Sequence, residues 1–460
     1  MSGRESPRGP AIPAPLDPGF EPLMLALRAA GEGPGARQRL EIAWERDAGG
    51  VGRYDVTLPG AGENETALRL AERAVKFLLW AAGGWRLLLS GPDWLCKRLQ
   101  AEYSPAGRRS FDADLMHKVY GRPMTVEIRS PGKMPAAADA ANPAGGHLDG
   151  CRIGFDLGAS DYKITAVNEG NVVFSDELPW DPRNQADPEY HYRKVNEGLK
   201  IAASKLPRVD AIGGSTAGVV VANRIMVASL FRAIPAARYG EAQSIFHRIQ
   251  KEWQVPVEVA NDGDVTALAG ALSLDTSAVL GVAMGSSEAG GYLDRRGRLT
   301  GRLTELAFTP VDFNPAAAAD EWSGDYGVGA MYFSQQAVGR LAPAAGISFE
   351  ERVALPERLK EIQRIMALGD GRAAKIYETI GVYLGYTVPW YREFYDFDHL
   401  LILGRVTSGK GGEIILAKAH EVLKAEFPEM AGRVNVFLPD EKARRVGQSV
   451  AAASLPSLRA

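Results

Sequence analysis

The sequence predicts an α/β protein of two related lobes, preceded by a smaller α+β unit. Three observations predict it. Strand-like and helix-like runs alternate from residue 151 to the end. One local event occurs twice: an apolar strand runs into a glycine-containing loop at Asp156-Leu157-Gly158 and again at Met284-Gly285-Ser286-Ser287. A Pro/Ala/Gly-rich stretch, KMPAAADAANPAGGHLDG from Lys133 to Gly150, separates this region from what precedes it. The repeated strand-loop event points to two related lobes with a nucleotide between them.

The chain has 460 residues, enough for two or three domains and a substantial core. Hydrophobic residues make up 46% and charged residues 24%, the balance of an ordinary soluble globular protein. A formal net charge of −3 gives no whole-protein argument for binding nucleic acid or an anionic membrane. The two cysteines, Cys96 and Cys151, suggest no disulfide framework and cannot alone build a cysteine-rich zinc site. A cytoplasmic location follows most simply. The most apolar run, Val75 to Leu89, is broken by Lys76, Gly83-Gly84 and Arg86 and falls short of the ~20 residues of a spanning helix. The N-terminus lacks the apolar centre of a signal peptide.

In chain order, residues 1–20 are rich in Pro and Gly and are expected to be disordered. Residues 21–132 form the small α+β unit. Leu40, Ile42 and Trp44 alternate, Gly49-Gly50 turn, and Tyr54, Val56 and Leu58 alternate back, a hairpin. Asn64 caps a helix reaching Ala82, with Leu68, Ala71, Val75 and Leu78-Leu79 on one face. A strand to Leu89, helices over 93–102 and 112–119, and a strand over 124–128 complete a ββαβααβ order. The connection YSPAGRRSF between the two short helices is too long for a helix-turn-helix. Trp80, Trp94, Arg108 and Arg109 read as core aromatics and solvated charge, with a binding surface as the alternative.

After the linker, 133–150, the expected division is a first lobe over 151–262 closed by 441–460, and a second lobe over 263–440. A meander of three strands runs to Leu178, and a helix spans 187–205. A small-residue segment begins at Ala211, a helix covers 241–253, and Val255 to Val259 forms a strand that delivers Asn261-Asp262. The second lobe follows the same logic with larger helical insertions. Helical periodicity runs over 322–341, 350–368 and 372–388, and Tyr292 to Leu299 reads as strand and turn.

The chemistry starts at Ile153–Thr165, IGFDLGASDYKIT. Gly158 lets backbone amides approach an anion, Ser160 offers a hydroxyl and Lys163 a point charge. Asp156 suits a hydrated magnesium ion, which takes one or two carboxylates plus phosphate and water. The same pattern also describes an ordinary hairpin; the order of the later loops favours phosphate. Asp262 has two readings as well. It is a helix N-cap just before Thr266, or a carboxylate presented at a strand end for proton transfer; the flanking loops favour the second.

Four motifs, in order over roughly residues 150–457, resemble the actin/hexokinase/Hsp70 nucleotide-binding superfamily, and within it the ROK family of repressors, open reading frames and sugar kinases. IGFDLGASDYKIT resembles the first phosphate loop, and IGGSTAGVV the small-residue loop on the sugar side. VEVANDGDVTALAGA resembles the strand-Asn-Asp-helix element, and MGSSEAGGYLDRRGRLTGRLTEL the second phosphate loop and the lead to a substrate-binding glutamate. LLILGRVTSGKGG stands where the adenosine-side loop belongs. The resemblance implies a two-lobed actin-like, ribonuclease H-like fold and ATP-dependent phosphoryl transfer to a hydroxyl of a sugar or cyclitol. Asp262 is then the general base, and Asn261, Glu305, Ser215 and Thr216 bind the acceptor. Gly158, Ser160, Lys163, Gly285, Ser286, Ser287, Gly404 and Gly411 handle the nucleotide, with Asp156 on magnesium. It also implies a possible homo-oligomer; on the charge, the missing apolar span and the long helix connection given above, no membrane or nucleic-acid partner is expected.

The sequence departs from that family in places. Phe308 stands where a sugar- and zinc-binding histidine is usual, and no cysteine follows Cys151, so no structural zinc is expected. Glu288 lies at the second phosphate loop, Arg405 replaces a glycine, and Ala159-Ser160 replaces Gly-Thr. These departures motivate an alternative: a non-catalytic sugar- or nucleotide-binding sensor or regulator on the same fold.

Overall fold

A computed structural model of the protein describes residues 9–33, 35–138, 145–439 and 441–458. Residues 1–8 of the expected disordered stretch and 139–144 of the linker lie outside the described residues.

The N-terminal unit comprises α1 (Leu23–Glu32), β1 (Arg37–Glu45), β2 (Val51–Pro59), α2 (Glu65–Ala82), β3 (Arg86–Ser90), α3 (Asp93–Glu102), α4 (Ser110–Tyr120) and β4 (Thr125–Ile128). Its sheet has the order β2-β1-β3-β4, with β1 antiparallel to both neighbours and β3 parallel to β4. From β1 onward the order is the ββαβααβ expected. Asn64 caps α2, its Oδ1 accepting from the Ala67 amide at 2.9 Å. Helix α1 has no capping side chain and no acidic first turn, so nothing local marks it in the sequence.

The first lobe follows: β5 (Cys151–Leu157), β6 (Asp161–Asn168), β7 (Asn171–Pro179), α5 (Pro188–Ala203), β8 (Ala211–Thr216), the hairpin β9 (Val219–Val221) and β10 (Arg224–Val227), α6 (Tyr239–Gln243), α7 (Ile245–Trp253) and β11 (Val257–Asn261). Its five-stranded sheet has the order β11-β8-β5-β6-β7. The second lobe contains α8 (Asp262–Leu274), β12 (Val279–Met284), β13 (Glu288–Leu293), α9 (Gln335–Ala344), α10 (Leu355–Ala367), α11 (Gly371–Arg392), β14 (His399–Leu403), α12 (Lys410–Glu426), α13 (Pro428–Ala431) and β15 (Asn435–Phe437). Its sheet has the order β13-β12-β14-β15. The last helix, α14 (Glu441–Ala453), returns to the first lobe; a Cβ at Gly213 of β8 would run into the Ala452 carbonyl, so this glycine admits the helix.

The N-terminal unit is not a satellite. Its apolar residues, from Ala14 to Val119, join one cluster with Leu280 to Val436 of the second lobe, whereas the first lobe has its own cluster between Ile153 and Val259. Helix α2 shows the consequence. Its sequence is amphipathic, yet fifteen of its 18 residues are buried, including Glu72, Arg73 and Lys76. A helix buried on all sides must neutralise its charges. Arg73 Nε lies 2.8 Å from Glu72 and Arg73 Nη1 3.1 Å from Asp325; Lys76 Nζ lies 2.8 Å from Asp112 and 3.0 Å from Asp325. Arg109 Nη1 reaches Asp325 at 2.9 Å. Burial alone would raise the Asp325 carboxyl, but Lys76 and Arg73 hold it below the usual carboxylate range. Three cations and three anions thus close a knot between α2, α4 and the second lobe.

Several expectations fail. Arg109, read as solvated charge, is buried in this knot. Residues 9–20 are not disordered but form a strap over α11. Asp17 accepts from Tyr383 Oη at 2.6 Å and Arg340 Nη1 at 2.9 Å, and Phe20 is buried edge-on against Tyr383 with ring centres 4.7 Å apart. These partners lie more than 300 residues away, so local composition does not reveal them. The helical periodicity over 322–341 is realised only in α9. Asp320 accepts from both the amide and the hydroxyl of Ser323, and Gly324 and Gly327 adopt φ of 67°, so side-chain bonds and turns displace a helix there.

Strand β13 begins at Glu288, opposite Met284. Glu288 therefore belongs to the strand, not the loop. It is buried, it accepts from the Tyr391 hydroxyl at 3.0 Å, and its other oxygen lies against Gly329. Burial pushes its carboxyl up from about 4.5 to about 8, with the tyrosine opposing.

Replacing Asp325 by Ala leaves the buried cations short of one counter-charge and is expected to cost about 3–5 kcal/mol. A shift in the urea midpoint reads it; a loss below about 1 kcal/mol would mean a solvated cluster. Glu288 holds its proton more tightly when folded, so its contribution is complete below about 4.5 and lost as pH rises through about 8. Thermal unfolding of Glu288→Gln against pH is expected to fall less steeply over that window than wild type; parallel curves would contradict a buried acid there.

Candidate active site

Strands β5, β8 and β11 are parallel and end level, with Leu157 beside Thr216 and Thr216 beside Asn261. Ligands of open α/β sheets bind outside such carboxyl ends. Three loops leave this edge: Gly158–Ser160, Ala217–Gly218, and the turn into α8. Asn261, not Asp262, is the cap of α8. Its Oδ1 accepts from the Gly263 amide at 2.7 Å and its Nδ2 donates to the Gly218 carbonyl at 2.8 Å. Both ends of this amide are thus partly engaged within the protein; one N–H and one lone pair remain for a ligand. Asp262 shares that amide, its Oδ1 accepting from Gly263 at 2.9 Å.

Four carboxylates converge here. Asp156 pairs across the sheet with Lys163 and Ser215. Burial raises its carboxyl, opposed by the Ser215 hydroxyl and the Lys163 ammonium. Asp262 is pushed up to about 6, by burial first and then by the charge of Asp156. Asp264 and Glu305 are each pushed up to about 7, Asp264 by burial and Glu305 by burial with Asp262 and Asp264 adding repulsion. Asp262 is therefore an ionised base at neutral pH whose affinity for a proton is well above that of an exposed aspartate. Magnesium bound through one or two carboxylates and phosphate fits Asp156. The described residues contain no group of three or more His, Cys, Asp or Glu placed to hold a metal.

Glu305 is delivered by the N-terminal unit. The amides of Leu303, Thr304 and Glu305 donate to the carbonyls of Ala82, Ala81 and Trp80 at 3.3, 3.0 and 3.0 Å. These are the carbonyls that the end of α2 leaves without helical partners. Thr304 carries φ 51°, a costly conformation for a β-branched residue, and it turns the chain at this point. Above Glu305 the Trp80 and Phe308 rings lie 4.3 Å apart, and Trp322 meets Phe308 at 4.9 Å. A cavity of about 340 Å³ results, bounded by Trp80, Gly218, Asn261, Asp262, Glu305 and Phe308 among others. Phe308 thus lines this cavity as an apolar wall.

The nucleotide side is less open. The Gly158 amide donates to the Asp161 carbonyl at 3.0 Å and the Ser160 hydroxyl to the Asp161 carboxylate at 2.8 Å. In the second loop the Gly285 amide donates to the Ser287 carbonyl at 3.0 Å, while Ser286 and Ser287 are exposed. Strands β12 and β14 run parallel with Ala283 beside Leu403, so the loops after them are neighbours. Gly404 has φ 102°, and a Cβ there would sit 2.5 Å from the Met284 carbonyl oxygen. Gly411 is buried, and a Cβ on it would meet the Tyr377 ring at 2.5 Å, so packing of α12 on α11 accounts for this glycine.

Ser215 and Thr216, expected to bind the acceptor, do not line this cavity. Both are fully buried in β8, and the cavity wall begins at Ala217. Leu115 and Trp322 join the cavity unforeseen, and Trp80, read first as core, joins it too, because they reach it from elements remote in sequence. Asp264 had a signal, the Asp-Gly-Asp spacing that puts a second carboxylate in the first turn of α8.

No protein-family model and no curated protein matches the sequence. Solved structures do match in shape. One is a ROK family transcriptional regulator described as a homologue of the E. coli MLC protein: TM-score 0.54 and 18% identity over 67% of this chain and 79% of that one. Another is a ROK hexokinase from Thermus thermophilus: TM-score 0.51 and 18% identity over 66% of this chain and 97% of that one. About two thirds of this chain therefore has the two-lobed, actin-like fold of the ROK proteins.

Proposed function

We propose that the protein is a ROK-type kinase that transfers a phosphoryl group from ATP to a hydroxyl of a sugar or sugar-like acceptor. The observation that carries this is Asp262, pushed up to about 6, in one cavity with Asn261 and Glu305 at the ends of three parallel strands. Asp262 accepts the proton of the acceptor hydroxyl as its oxygen attacks the terminal phosphorus. Glu305 and the remaining capacity of Asn261 orient the acceptor, and Trp80 and Phe308 exclude water from it. Magnesium at Asp156, when bound, supplies charge neutralisation on the phosphates. Lys163, beside Asp156, adds positive charge. Closure of the first lobe against the second then assembles the site. The proposal extends to a cytoplasmic homo-oligomer.

A second reading, a non-catalytic sugar-binding regulator, is favoured by the first phosphate loop. Its glycine amide donates to the Asp161 backbone carbonyl and its serine hydroxyl to the Asp161 carboxylate, so both groups expected to meet phosphate are already engaged.

Transfer from ATP and magnesium to a panel of hexoses, amino sugars and cyclitols separates the two. Turnover with one acceptor, lowered about 10²–10⁴-fold by Asp262→Asn, is the expected result; undiminished turnover in the variant removes Asp262 as the base, and binding without turnover supports the regulator. Asp262 must be ionised to act, so kcat/KM is expected to rise with pH through about 6 and then level. A flat profile between pH 5 and 8 would contradict that assignment.

A further inference from the structure

A second cavity of about 310 Å³ abuts the acceptor cavity. The two share Val219, Asn261 and Glu305 in their walls. Each alone lies near the lower end of the roughly 300–1,000 Å³ typical of ligand pockets. The second cavity is closed by the N-terminal unit, through the Arg46–Ala48 turn after β1 and through Val119 and Tyr120 at the end of α4. Facing them are Val219–Ala222 of the β9–β10 hairpin, on which α4 packs. The walls are therefore apolar at Val119, Val219, Val220 and Leu303, with Arg46 and Glu258 among its polar members. Burial raises the Glu258 carboxyl, and Asn223 opposes. Such a chamber suits a ring with an apolar face and polar substituents at its edge. Two arginines, Arg46 and Arg302, also line it, but each donates to a backbone carbonyl, of Thr300 and Phe394, and the carboxylates Asp47, Glu258, Asp264 and Glu305 share the wall, so the lining does not favour a phosphate or carboxylate.

We propose that the acceptor site is bipartite and that its ligand is a glycoside: one ring under Trp80 and Phe308, and a second ring, joined by a glycosidic link past Glu305, in the chamber built by the N-terminal unit. The proposal rests on the sugar-type acceptor reading for the first ring only and does not need phosphoryl transfer. Asn261 and Glu305, at the junction, hold the hydroxyls that flank the link. The N-terminal unit is then a specificity element: it adds a subsite that the two lobes alone do not build.

Titration calorimetry on the full-length protein tests this. Probes are glucose, mannose and N-acetylglucosamine, the phenyl glycoside of each, and the disaccharides cellobiose and maltose. At least one two-ring probe is expected to bind about tenfold or more tightly than its parent monosaccharide. Val220→Trp, which fills the second chamber from the hairpin, and Ala48→Trp, which fills it from the N-terminal unit, should each abolish that gain and leave the parent within about twofold. A phenyl glycoside preferred over both disaccharides identifies an aromatic second ring; the reverse identifies a sugar. Monosaccharides that bind as tightly as every two-ring probe overturn the proposal, as do variants that weaken both classes equally, or no binding of any two-ring probe. Phosphoryl transfer is followed separately in the same samples. Tight glycoside binding without turnover leaves the bipartite site standing and removes the kinase, whereas turnover of free hexoses with no glycoside preference does the opposite.

Discussion

The buried charge knot on α2 is the constraint on which the rest depends. Arg73, Lys76 and Arg109 meet Glu72, Asp112 and Asp325 with nearly no exposure to water. Buried pairs of this kind do not by themselves stabilise a fold much over apolar packing, but they penalise every arrangement that leaves one member unpaired. Asp325 comes from the second lobe, and the other five from the N-terminal unit. The knot therefore fixes the register of α2 on that lobe. Trp80 sits one turn along from Lys76, and its indole N–H donates to the same Asp112 at 2.6 Å.

Function follows from that register through the end of the helix. The last carbonyls of α2 bind the amides of Leu303–Glu305, so the position of an acidic side chain in the cleft is set by a helix from another part of the chain. Around it, burial raises the hold of Asp262, Asp264 and Glu305 on their protons; the charge of Asp156 adds to this at Asp262, that of Asp262 at Asp264, and those of Asp262 and Asp264 at Glu305. A group of acids so arranged does not ionise all at once at neutral pH. Asp262 is pushed up least of the three and gives up its proton first as pH rises, while Asp264 and Glu305 hold theirs longer.

Much of this was legible in the sequence. The strand-glycine event at Asp156-Gly158 and Gly285-Ser287 gave the two lobes, and the strand before Asn261-Asp262 put a carboxylate at a sheet edge. Alternation and the Asn64 cap gave the order of the N-terminal strands and helices. What stayed hidden depends on long-range partners. Phe20 and Asp17 are anchors only because Tyr383 and Arg340 wait for them. Trp80 read as core and is core, yet its place beside Phe308 makes it a cavity wall as well. Glu288 read as a loop carboxylate beside phosphate; the short turn at Gly285–Ser287 moves it into β13 and turns it inward to Tyr391. A shift of one or two residues at a strand start decides which face such a side chain takes.

The most direct test of the account is a crystal structure of the full chain with a non-hydrolysable ATP analogue, magnesium and a bound acceptor. The account predicts an acceptor hydroxyl within hydrogen-bond distance of Asp262, the acceptor ring against Trp80 and Phe308, and the terminal phosphate between the loops at Gly158 and Gly285. An acceptor bound elsewhere, or an N-terminal unit swung away from the occupied cleft so that Trp80 no longer touches the ligand, would contradict it.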